Sequence, residues 1–134
     1  MRSPGGKALS ETLKLFAQRA EKFFREALRH FEEGDLELSA FFAEQSAQLL
    51  LKTYLLKHTG TFPQTHNLHR LFREAAKVDA TWETFYRDRV SVVDDLYQAY
   101  FTSRYLPFEF EKEAVVRMLE FLKDLRGRLG GSQS

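Results

Sequence analysis

The sequence predicts an all-α fold: an up-and-down antiparallel bundle of four long helices plus one short helix. Three observations carry this expectation. Apolar residues recur at steps of three and four over long stretches, with no strand-type alternation. Glycines and small polar residues punctuate those stretches where helices would stop and start. The stretch from Phe41 to Leu56 is apolar on almost every side, with Phe41, Phe42, Ala43, Ala47, Leu49, Leu50, Leu51, Tyr54, Leu55 and Leu56. A helix of that kind has to be covered on several sides, which makes it the central rod of the bundle.

The first helix is expected from about Ala8 to Glu33. Leu9, Leu13, Phe16, Ala20, Phe23, Ala27 and Phe31 form its inward stripe, and lysines, arginines and glutamates share the outer face. Gly34 closes it and Asp35 caps the next. So short a turn sends the second helix, from about Leu36 to His58, back antiparallel to the first. That helix stops at Thr59-Gly60, where glycine accepts a left-handed backbone. One polar line survives along it: Glu44, Gln48 and Lys52, four residues apart, with Gln45 beside them.

After a loop containing Pro63, a short third helix is expected from about Asn67 to Lys77, capped by Thr65 or Asn67 and buried through Leu68, Leu71, Phe72 and Ala75. A fourth should start at Asp79 or Thr81 and run unbroken to about Phe101 on a stripe of Trp82, Phe85, Val92, Val93, Leu96 and Tyr100. An irregular aromatic segment broken by Pro107 follows. The last helix starts near Glu109 or Glu111, with acidic residues at its first turn and Lys123, Arg126 and Arg128 near its end. Residues 8–127 then form one domain, between a mobile N-terminus (1–7) and a frayed tail (128–134).

At 134 residues the chain is long enough for one core. Its 13 Phe, five Tyr and single Trp call for a dense core, an interface, or both. The aromatics Tyr97, Tyr100, Phe101, Tyr105, Phe108 and Phe110 crowd one segment, and some of them are expected at an interface, most simply a two-fold homodimer. Twenty basic against 19 acidic residues leave a formal charge of +1, which disfavours a strong non-specific nucleic-acid binder. No cysteine is present, so disulfides, thiolate metal sites and cysteine nucleophiles are excluded. No signal-type segment opens the chain and no apolar run approaches the length of a membrane span; a soluble cytoplasmic protein is expected.

Chemistry-bearing motifs are sparse. His66 and His69 lie three apart, but no acidic residue stands at a matching step and His-Glu-x-x-His is absent. There is no Gly-x-Ser-x-Gly elbow, no P-loop and no Gly-x-Gly-x-x-Gly. Lys52 is a charge on the most apolar helix. Its stem can simply cover core surface, or its ammonium can meet a phosphate. Gln45 and Gln48 suit hydrogen bonds between helices or across a dimer seam, and His66 suits a bond to backbone. Arg104 can pair with Asp94, Asp95 or a helix end, or hold a phosphate bidentately.

A phenylalanine-rich helix start, a glutamine and alanine, a lysine before a leucine-rich end, then Gly, Pro, Thr-His and Leu-x-x-Leu together resemble the HEPN (higher eukaryotes and prokaryotes nucleotide-binding) family. The residues are Phe42, Gln45, Ala47, Lys52, Gly60, Pro63, Thr65, His66, Leu68 and Leu71, with Ser103-Arg104-Tyr105-Leu106-Pro107 as a second match. The likeness covers roughly residues 15 to 125. It implies a HEPN-like bundle of the nucleotidyltransferase substrate-binding subunit type. Such a subunit partners a separate minimal nucleotidyltransferase, often in a toxin–antitoxin-like pair, and can itself hold ATP or another nucleotide. Lys52, Arg104, Tyr105 and His66 are the candidate nucleotide contacts. Catalytic members resemble one another in an Arg followed after four to six residues by His, at the start of the last helix, where RNA is cleaved. Here no His follows Arg104 anywhere in the chain. Arg25 and His30 match the spacing, but on the first helix. The resemblance therefore implies a non-catalytic member; the alternative is an RNA-cleaving toxin using Arg104 with Tyr105 or His66.

Overall fold

The computed structural model describes residues 6–105 and 109–130, the side chains of residues 7 and 103–105 excepted. The expectations for residues 1–5, for the break at Pro107 with its neighbours Leu106 and Phe108, and for the last four residues lie outside that description. Six helices follow one another: α1 (Gly6–Glu32), α2 (Leu36–Thr59), α3 (Leu68–Val78), α4 (Thr81–Arg87), α5 (Val90–Tyr105) and α6 (Lys112–Arg128). No strand occurs among the described residues. The four long helices are α1, α2, α5 and α6, and the all-α bundle is as expected. No helix among the described residues is long and apolar enough to cross a membrane.

The α1–α2 hairpin turns at Gly34, whose φ of 84° is a conformation that side chains with a Cβ rarely adopt. Asp35 then caps α2 by accepting a hydrogen bond from the Leu38 amide at 3.1 Å. The seam between α1 and α2 is made of small residues: Ala20, Ala27, Ala40, Ala43 and Ala47 are all buried. Close approach lets two buried serines reach across. Ser39 donates to the carbonyl of Ala27 at 2.7 Å and Ser46 to that of Ala20 at 2.8 Å. The inward line of α1 differs by one residue from the expected stripe. Phe24 is buried with Ala20 and Ala27, whereas Phe23 is half-buried and stacks on Phe42 at 5.7 Å.

α2 is the central rod, packed against α1, α3, α5 and α6. Its C-terminal glycine, Gly60, has φ 83° and donates to Leu56 O at 3.0 Å, which ends the helix. The core around α2 joins its own Leu51 to Leu68, Leu71, Phe72, Val93, Leu96, Val115, Met118, Leu122 and Leu125. An aromatic group extends the core beneath α3 and α4: Trp82 meets Phe85 at 5.4 Å, and Phe85 meets Phe121 at 6.1 Å.

The expected unbroken fourth helix is instead two helices, α4 and α5, separated by a turn at Asp88 and Arg89. The Arg89 amide donates to Tyr86 O at 2.9 Å, three residues back, so the Phe85 carbonyl loses its helical partner. The Arg89 guanidinium supplies the replacement, donating to Phe85 O at 3.1 Å while its Cζ lies 3.9 Å from the Phe85 ring centroid. Arg89 occupies the position where the apolar stripe would have continued. The break lets α4 pack Trp82 and Phe85 on Phe72 while α5 turns Val93, Leu96 and Ala99 toward the core.

Candidate functional site

The polar line of α2 lies inside the molecule. Glu44 is 0 % exposed and Gln48 is 4 % exposed, on the face of the rod nearest the 61–67 loop and α5. Two side-chain amides hold the Glu44 carboxylate. Gln45 Nε2 donates to Oε1 at 2.8 Å, and Gln48 Nε2 donates to Oε2 in a short bond. A buried carboxylate is costly unless hydrogen-bonded, and here both oxygens are met from its own helix. Gln48 then has its carbonyl oxygen facing outward, 3.3 Å from His66 Nδ1. Because that oxygen only accepts, Nδ1 carries the hydrogen, and in the neutral ring the lone pair sits on Nε2. The His66 ring also stacks on Tyr100 of α5, with centroids 4.8 Å apart and planes 17° apart.

Local structure sets this imidazole in place. Thr65 NH donates to Pro63 O at 3.0 Å, and Thr65 Oγ1 accepts from the Asn67 amide at 3.1 Å. Asn67 is the cap of α3, accepting from His69 NH at 2.9 Å. His66 therefore sits between a turn and a capped helix start. The partner described for His66 Nδ1 is the Gln48 side chain, which fixes the loop to the rod. Gln45, expected to bond between helices, stays within α2.

Lys52 lies one turn beyond Gln48 and is half-buried, its ammonium 5.7 Å from the centroid of Phe62. Burial pushes the Lys52 pKa below the usual lysine value, and the charge of Glu44 pushes it back up in part. Two of the four candidate nucleotide contacts, Lys52 and His66, thus belong to one cluster, joined through Glu44 and Gln48. The other two, Arg104 and Tyr105, end α5, and their side chains lie outside the described residues. Glu44 and Gln48 were visible in the sequence as a polar period of four. That one of them is a carboxylate with no exposed surface was not.

A second imidazole ties the short helices to α5. His69 Nδ1 is 2.6 Å from the Tyr86 hydroxyl and its Nε2 is 3.3 Å from Asp94 Oδ1. That accounts for Asp94, one of the expected partners of Arg104. Its neighbour Asp95 is held above the usual aspartate pKa, chiefly by burial, with Arg117 opposing the shift.

The family model of the HEPN domain matches residues 13–129, nearly the whole chain, and the protein belongs to that family. No curated protein matches it.

Proposed function

We propose that this HEPN-domain protein is a non-catalytic binding module, the partner or substrate-binding subunit of a minimal nucleotidyltransferase. The observation that carries the reading is the absence of any His after Arg104 in the sequence. Cleaving RNA needs a group that moves a proton near neutral pH, and the family's place for it holds none. The nearest equivalent, His66, is bonded to Gln48 and stacked on Tyr100. Lys52 and His66 on one side, and Arg104 and Tyr105 at the end of α5, offer cationic and stacking groups for ATP or another nucleotide. Self-association as a homodimer would cover Phe101, which is 37 % exposed and meets Tyr97 at 4.9 Å. Calorimetric titration with ATP and other nucleotides, repeated on Lys52→Ala, tests the ligand half of the reading. Co-purification with a small nucleotidyltransferase encoded beside it tests the partner half. Heat for no nucleotide removes the first and leaves the second standing.

One observation favours a second reading, an RNA-cleaving toxin. His66 stacks on Tyr100, one helical turn before Arg104 on the same helix. Incubation with total RNA, alongside Arg104→Ala and His66→Ala, decides it. Cutting that both substitutions abolish would overturn the non-catalytic reading; no cutting upholds it.

A further inference from the structure

A cleft of about 590 Å³ opens on another face of the rod, between α1, the C-terminal half of α2 and the end of α6. It has no residue in common with the Glu44 cluster. Its floor is apolar, from Leu50, Tyr54 and Leu129, and its rim carries the cations Lys57, Arg126 and Arg128 beside His58 and Glu21. A concave apolar floor with a few convergent polar groups is the usual build of a small-ligand site, and this volume falls in the usual range.

The charges on the rim are not equivalent. Arg126 is neutralised by Glu21, with contacts of 3.2 and 2.5 Å. Arg128 donates to Thr81, lies 4.0 Å from Asp79, and stacks 4.2 Å from the Trp82 centroid. Lys57 is exposed and makes no ion pair among the described residues. His58 lies tilted against Tyr54, with ring centroids 4.4 Å apart. One positive charge with no ion pair among the described residues therefore lines the cleft beside an apolar, partly aromatic floor. Such a rim suits a single negative charge better than a dianion, because a second charge would have to compete with Glu21 or Asp79 for an arginine.

We propose that this cleft binds a small organic carboxylate with a flat aromatic body, the ring lying over Leu50 and Tyr54 and the carboxylate meeting Lys57. The site is separate from the nucleotide contacts considered above and does not depend on them.

Trp82 reports on it. It is the single tryptophan of the chain, lies under Arg128, and meets Tyr54 edge-on at 5.3 Å. Its one indole N–H resonance can be followed by NMR while naphthalene-2-carboxylate is added to the full chain. A saturable one-to-one shift is expected. The neutral naphthalene-2-methanol should bind at least tenfold more weakly, and 1-naphthyl phosphate no more tightly than the carboxylate. Lys57→Gln should weaken the carboxylate several-fold and leave the alcohol unchanged. The proposal falls if the shift does not saturate, if the alcohol binds as well as the acid, if the phosphate binds more tightly, or if Lys57→Gln changes nothing. It also falls if the indole signal moves with protein concentration alone, since a second copy would then fill the cleft.

Discussion

The two parts of α2, divided after Gln48 and called its halves, solve opposite problems with the same helix. The first half carries Glu44 and Gln48 inward and surrounds them with amides, an imidazole and a ring, so that polar atoms without solvent are bonded. The second half carries Leu50 and Tyr54 toward a gap that the described residues leave open, so that apolar surface stays wet beneath a cationic rim. Polar groups that are closed in and apolar groups that are left open are both departures from ordinary core building. The first trades hydration for fixed geometry at His66. The second leaves burial to be completed by something else. The contrast separates a place where the protein holds its own side chains still from a place where it can hold another molecule.

The largest expected effect breaks the closed half. Glu44→Ala strands the amides of Gln45 and Gln48 and leaves a void, so it should cost about 3 kcal/mol in urea unfolding. A loss below about 1 kcal/mol would mean that water reaches the carboxylate, and the contrast would vanish. Tyr54→Ala in the open half should cost less, about 1–2 kcal/mol, because the ring is only partly buried. Should Tyr54→Ala prove the more damaging of the two, the cleft is a structural wall and not an open floor. Ser46→Ala, within the first half, removes one bond across the α1–α2 seam and should cost about 1 kcal/mol. Its partner Ser39→Ala should behave alike.

The smallest effect is a matter of pH. Folding raises the pKa of Asp95, chiefly by burial, so the ionised form is disfavoured in the folded protein. That penalty is absent where the group is protonated in both states, below the ordinary aspartate pKa. It grows as pH rises from there through the raised value, and is complete at neutral pH. Asp95→Asn should therefore raise the melting temperature at pH 7 by on the order of a degree or two and leave it unchanged near pH 3. A gain that persists in acid would assign the effect to packing instead of charge.

Much of the fold could be read from the chain because its signals are local. Gly34, Asp35, Gly60 and Asn67 act within one turn of themselves, and each ends or starts a helix where expected. The cut between α4 and α5 could not be read, because a charge interrupting an apolar stripe, as Arg89 does, does not by itself end a helix. Its effect comes from a guanidinium that reaches back to Phe85 O and lies on the Phe85 ring. The site divides in the same way. Lys52 and His66 stood out by type and spacing. Their connection runs through Glu44 and Gln48, and a glutamate on a helix is ordinarily solvated until the neighbouring helices are in place. The cleft under Lys57 is made by α1, α2 and α6 together, and no one of their sequences contains it.

The two serine bonds across the hairpin carry one last consequence. Ser39 reaches Ala27 and Ser46 reaches Ala20, so the contacts step seven residues forward on one helix and seven back on the other. Two clasps spaced alike act together: sliding one helix by a single residue unfastens both at once. Alanine-lined helices, smooth enough to slip, are thereby given one alignment.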